Sequence, residues 1–211
     1  HRDLHSFPTR HSSDLTNGSL SLTDEPARSA TIAALDVAKA AGAVMSYDPN
    51  YRDSLWTSAE VASEQMRSIV TYMDLIKISC EETELLTGRS DPTEAARILL
   101  GQGAQVVCVT LDDEGALVAT KDGSATVPSF KVDAVDTTGA GDSFWGGFLC
   151  AFVDADIRPE NVTLDDARSF ARFGNAVASL CVRRRGAIPA MPTLDEVEKV
   201  LSRWLDRKSV V

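Results

Sequence analysis

The stretch "AVDTTGAGDSFWGGFL" (residues 134–149) decides how this chain is read. Small residues flank one acid, Asp142, and the segment runs on into an apolar helix with two adjacent glycines, Gly146 and Gly147. An ordinary helix start needs only one Ser, Thr, Asp or Asn as a cap. A helix N-terminus also carries unpaired N–H groups and about half a positive charge, and small residues there let an anion approach the backbone. Thr137, Thr138, Gly139, Ala140 and Gly141 therefore suit a phosphate, above all one gaining charge in transit. Asp142 would be repelled by that phosphate and is better placed to take a proton from a hydroxyl attacking it, as in-line phosphoryl transfer requires. The alternative is a Gly-rich turn capped by Asp. Gly146 and Gly147, each costing roughly 1 kcal/mol inside a helix, argue for close packing or ligand approach.

Outward from this stretch, helices alternate with short apolar strands. "PARSATIAALDVAKAAGA" (26–43) opens on Pro and closes near Gly42, a helix by its punctuation. Helical spacing of apolar residues recurs over 57–73, and "DPTEAARILLGQG" (91–103) has an Asp cap, Pro in the first turn and Gly at its end. "AVMSYD" (43–48), "DLIKIS" (74–79) and "AQVVCVTL" (104–111) read as strands, and "GALVAT" with "SATVPSF" as a hairpin around Lys121-Asp122-Gly123. Helices follow over about 140–153, 163–182 and 193–207, the last with Leu194, Val197, Val200, Leu201, Trp204 and Leu205 on one face. The pattern predicts an α/β fold with a mostly parallel sheet covered on both faces. Ligands of such sheets bind beyond the C-terminal strand ends, where "DPNYR" (48–52), "SCEE" (79–82) and "TLDDEG" (110–115) fall.

Composition narrows the chemistry. The chain has 211 residues, and 31 acids against 21 Lys and Arg give a net charge of -10. Arg183-Arg184-Arg185 is the longest basic run, so nucleic acid is excluded as a partner, and no apolar segment is long enough to span a membrane. Cys80, Cys108, Cys150 and Cys181 are scattered, in apolar or small-residue surroundings, and read as buried free thiols of a cytoplasmic protein. His1, His5 and His11 are the three histidines, so general-base work in the body of the chain falls to another residue type.

"DTTGAGDSFWGGF" (136–148) resembles, nearly letter for letter, the C-terminal signature of the ribokinase-like (phosphofructokinase B-type) sugar kinases. "YDPNYRDSLW" (47–56) is similar to the D-x-N-x-R segment of fructokinases and 2-keto-3-deoxygluconate kinases. "KISCEETELLTG" (77–88) matches the family's N-x-x-E element, with Ser79 in place of Asn. "VTLDDEGAL" (109–117) matches its nucleotide loop, with Asp112 where Gly is usual, and "FGNAVASLCVRRRGAIPAMPT" (173–193) resembles the segment lining the adenine pocket. The resemblance covers residues 17–205 and implies a three-layer α/β/α ribokinase-like fold that phosphorylates a sugar hydroxyl from ATP. Fructose is the first choice of substrate. 2-Keto-3-deoxygluconate kinase, another ribokinase-like sugar kinase or a catalytically silent regulatory relative is the alternative.

The same resemblance implies roles. Asp142 is the catalytic base, and Gly139, Ala140 and Gly141 are the anion hole. Ser79, Thr110, Leu111, Asp112, Gly115 and Asn175 contact the nucleotide. Arg52, with Asp142, meets the sugar, and Glu82 holds Mg2+ through water. Carbonyls at Asp136 and Thr138 bind a monovalent cation such as K+. Ordinary structural roles compete: an ion pair with Asp48 or Asp53 for Arg52, a dipole-favoured first-turn acid for Glu82, a polar mid-helix position for Asn175. A homodimer is left open.

"HRDLHSFPTRHSSDL" (1–15) has neither helical nor strand period, and part of it resembles the translation of a sequencing adapter. Residues 1–15 are therefore expected to be an artefact and disordered, and 16–211 a partial kinase domain. The family's N-terminal sugar-recognising part and lid find no counterpart, so a C-terminal fragment that is inactive alone is expected.

Overall fold

A computed structural model describes residues 14–208, with side chains as far as Ser202. Among the described residues, six strands form one sheet in chain order: β1 (Asp14–Asn17), β2 (Val44–Tyr47), β3 (Leu75–Ser79), β4 (Val106–Thr110), β5 (Gly115–Thr120) and β6 (Gly123–Pro128). The first four run parallel, and the hairpin β5–β6 continues the sheet antiparallel from β4. Helices α1 (Ala27–Ala40), α2 (Ala59–Ser68), α3 (Glu82–Thr87), α4 (Pro92–Gly101), α5 (Ala140–Asp154), α6 (Leu164–Cys181) and α7 (Leu194–Lys208) complete the order.

Strand alternation builds the layers. Side chains on a strand point to opposite faces in turn. Met45, Tyr47, Ile76, Ile78, Val107 and Val109 pack with Leu35, Met66, Leu86 and Leu99 of the first four helices. The intervening Val44, Leu75, Val106 and Cys108 join Phe144, Phe148, Phe152 and Phe170 of α5 and α6 on the other face. Both faces are dry, so the strands read as unbroken apolar runs. Lys77 is the charged exception: it sits in mid-strand on the α5 face and is 5% exposed. The helix starts follow local chemistry. Asp91 accepts the N–H of Glu94 to open α4, and Thr163 with Asp166 forms a capping box on α6.

The α/β/α arrangement matches the sequence expectation, and four details correct it. Asp14 and Leu15 are ordered in β1, paired with Val44 and Met45, so the disordered segment expected over 1–15 does not reach residue 15; residues 1–13 lie outside those described. The short α3 was not expected. Cys108 and Cys181 are buried, but Cys80 and Cys150 are exposed. In α7, Val197 packs on Ala176 and Leu180, whereas Leu194 is 59% exposed; Trp204 and Leu205 fall outside the described side chains.

Candidate active site

The first turn of α5 is the centre of the site. Its N-cap is Gly139 at φ +76°, and no side chain caps it. Ala140 N–H donates back to Thr137 O at 3.1 Å, and Ser143 N–H to Gly139 O at 2.8 Å. The glycines are there for close approach. A Cβ on Gly139 would lie 2.5 Å from Ala187 Cβ, and one on Gly141 would lie 3.0 Å from Lys77 Nζ. The turn from Thr137 to Asp142 opens onto a cleft of ≈ 330 Å³ completed by Asn50, Arg52 and Lys77. The Asp142 side chain is exposed to it.

The loop after β2 forms the opposite wall. Asp48 and Lys77 make a buried ion pair, with Lys77 Nζ at 2.9 and 3.1 Å from the two carboxylate oxygens. Burial pushes the Asp48 carboxyl above its ordinary value, and the Lys77 ammonium opposes that shift. Asn50 N–H donates to Asp48 Oδ1 at 3.2 Å, and Asn50 Nδ2 reaches Asp142 Oδ1 at 3.4 Å. Arg52 lines the cleft and donates from Nη1 to Tyr51 O. Asp48 is committed to Lys77 and Asp53 accepts from Tyr51 Oη, so the ion pairs weighed for Arg52 are not formed.

Glu82 is 4% exposed and faces inward. One carboxylate oxygen accepts Tyr51 N–H and the other Ser79 N–H, both at 2.7 Å. It clamps two strand-end loops together, and both of its carboxylate oxygens are engaged by backbone N–H groups. Among the described residues no group of three or more His, Cys, Asp or Glu is arranged to hold a metal. That donor set fits an ion that arrives on phosphate oxygens and keeps its waters.

Ser79 and Thr110 lie side by side at the ends of β3 and β4. Leu111 N–H bonds Gly115 O at 2.8 Å, closing the loop between β4 and β5. Gly115, at φ +113°, passes so near β6 that a Cβ would come 2.2 Å from Val127 O. Asp112 is exposed at φ +50°, which explains the glycine usual at this point: the backbone is left-handed, and Asp is among the few side chains that tolerate it. Asn175 is not brought to the cleft. It is 4% exposed, and its Nδ2 donates to Val127 O and Pro128 O at 3.0 and 3.2 Å, tying α6 to the end of β6. Asp136 accepts Thr138 N–H and Gly186 N–H, both at 2.9 Å. The bond from Gly186 is the main cause that holds its carboxyl down to about 2.

Asp142, Gly139, Ala140, Gly141 and Arg52 are thus brought to one cleft, with Glu82, Ser79 and Thr110 on the same strand-end rim. Lys77 and Asn50 are the residues that sequence reasoning missed. The signal for Lys77 was present: one charge inside the apolar run "DLIKIS".

A helix start open to an anion, with an exposed carboxylate in its first turn, thus lies at the strand-end rim of an α/β/α sheet. The chain belongs to the pfkB family carbohydrate kinases, whose family model matches residues 12–194. It is 42% identical over 188 residues to Fructokinase-2 of Zea mays, covering 88% of this chain and 55% of that protein. Among solved structures it is similar to fructokinase from Vibrio cholerae O395 in its fructose-, ADP- and calcium-bound form (TM-score 0.80, 31% identity, 88% of this chain and 59% of that one). It is also similar to fructokinase with bound ATP from Xylella fastidiosa (TM-score 0.79, 31% identity, 90% and 61%). The chain spans a little over half the length of these relatives.

Proposed function

We propose that this chain carries the catalytic and nucleotide-side part of an ATP-dependent sugar kinase, with fructose as the acceptor. The observation that carries the reading is the exposed Asp142 carboxylate in the first turn of an uncapped, glycine-lined helix start. The sugar hydroxyl gives its proton to Asp142 as its oxygen bonds the γ-phosphorus. The bond from that phosphorus to the bridging oxygen breaks, and ADP leaves. Gly139, Ala140 and Gly141 stabilise the charge growing on the transferred group. Ser79, Thr110, Leu111, Asp112 and Gly115 flank the nucleotide. Glu82 would hold magnesium through water, and the ion would neutralise phosphate charge; the carbonyls of Asp136 and Thr138 would hold a monovalent cation. Asn175 supports the site by fixing β6 rather than by touching the nucleotide.

The fructokinases among the relatives favour fructose over 2-keto-3-deoxygluconate. Arg52 is the residue to which this choice is most exposed, because its guanidinium would pair a carboxylate bidentately. A substrate panel on a full-length chain carrying this segment tests the choice. Fructose-dependent ADP release is expected, with little on the keto-acid sugar; strong activity on the keto-acid and none on fructose would reverse the assignment.

A further inference from the structure

Asn50 lies at φ +49°, a left-handed conformation that Asn tolerates better than most residues. The chain around it is tied to separate parts of the molecule. Pro49 O accepts Ser19 N–H at 2.9 Å, just beyond β1. Asp48 is gripped by Lys77 of β3 and accepts Asn50's own N–H. Tyr51 N–H is held by Glu82 of α3. The arm so fixed presents Asn50 Nδ2 to Asp142 Oδ1, across 92 positions of sequence.

We propose that Asn50 is a positioning residue for Asp142, with Lys77 as its anchor through Asp48. The inference rests on the kinase reading and goes one step beyond it. An exposed carboxylate at a helix start has several rotamers open to it. A fixed amide donor on one oxygen selects the rotamer that turns the other toward an acceptor hydroxyl, and being neutral it does so without competing for the proton. At 3.4 Å the bond is long, as catalytic hydrogen bonds often are before substrate binds. Lys77 holds the arm from below: its ammonium lies against Gly141, between the anion cradle and Asp48.

Two measurements test this. In 15N NMR of the 211-residue chain, the Asn50 side-chain amide pair, assigned by its loss in Asn50→Ala, is expected to move in Asp142→Ala and to stay in place in Asp133→Ala. An Asn50 pair unmoved by Asp142→Ala overturns the inference, whatever the enzyme does. In a full-length chain carrying this segment, Asn50→Ala and Asn50→Asp are both expected to lower kcat by up to about 100-fold, with the KM for ATP little changed. Asn50→Asp keeps the backbone tolerance and loses the donor, so a kcat equal to wild type in that variant would reduce Asn50 to a loop-shaping residue. Lys77→Met leaves a buried unpaired acid and invites misfolding, so it is paired with Asp48→Asn. That double variant should fold and show the same loss, and full activity in it would remove Lys77 from the account. Wild type without sugar-dependent ADP release would instead defeat the kinase reading, leaving the amide signals to decide the Asn50–Asp142 contact.

Discussion

Gly139 turns the chain through φ +76° within 2.5 Å, by its would-be Cβ, of Ala187. That is why α5 begins on glycine and not on a capping side chain: any Cβ would be strained by the backbone and blocked by the loop behind it. The opening motif was legible for this reason, since its chemistry is local and written in consecutive residues. For Lys77 the lone charge in an apolar run marked the residue but not its role, which comes from where β3 lies under Gly141. Asp136 yields a test at this scale. Its carboxyl is held down to about 2 by Gly186 and Thr138. A group with a depressed folded-state value stabilises the fold only while ionised. The tether is therefore fully present above the unfolded value of about 4 and is lost as pH falls through the folded one. The amide signals of Gly186 and Thr138 are expected to titrate together near 2; a shared midpoint in the ordinary carboxylate range would show that the loops are not joined in solution.

Helices α5 and α6 show what the glycine pair within α5 is for, and the two positions differ. Gly147 faces α6, where a Cβ would meet Val177 Cγ2 at 2.9 Å and Gly174 Cα at 3.0 Å. Gly174 in turn lies against Phe144, with its would-be Cβ 2.6 Å from the Phe144 carbonyl oxygen. Gly146 has open space around it. Close packing, the expectation from sequence, therefore holds for one glycine of the pair. Gly174→Ala is expected to destabilise the fold by about 1–3 kcal/mol through overpacking, and Gly146→Ala to stabilise it by up to about 1 kcal/mol through helix propensity. Denaturant unfolding of the two variants checks this, and equal effects of the same sign would contradict the packing. Most elements were legible from caps and period. The six-residue α3 was not: it has no side-chain cap, and its first residue is committed to the Tyr51 and Ser79 backbones. The exposure of Cys80 and Cys150 was equally hidden, since neighbouring residue types do not fix which way a thiol points.

Across the whole molecule, sequence pattern established a layered α/β chain but not the order of its strands. Pairing of β1 with β2, or of Ser79 with Thr110, is a long-range matter of register, and the first half of β1 lies within the segment 1–15 whose sequence resembles an adapter. The site inherits the same division. The anion cradle could be read from one segment, whereas the wall facing it, with Asp48, Asn50 and Lys77, exists only once the parallel strands bring their C-terminal ends to one rim. Asn175, placed by motif at the nucleotide, lies on the buried side of α6 and donates to the end of β6. In the proposed reaction Asp142 works on a proton in the transition state while the cradle and strand-end loops hold the nucleotide. Asp142→Asn in a full-length chain carrying this segment tests it most directly, by steady-state kinetics beside calorimetric ATP titration. The variant is predicted to lose about 10²–10⁴-fold in kcat while ATP affinity stays nearly intact. Equal losses of binding and turnover would make Asp142 a structural cap and contradict the account.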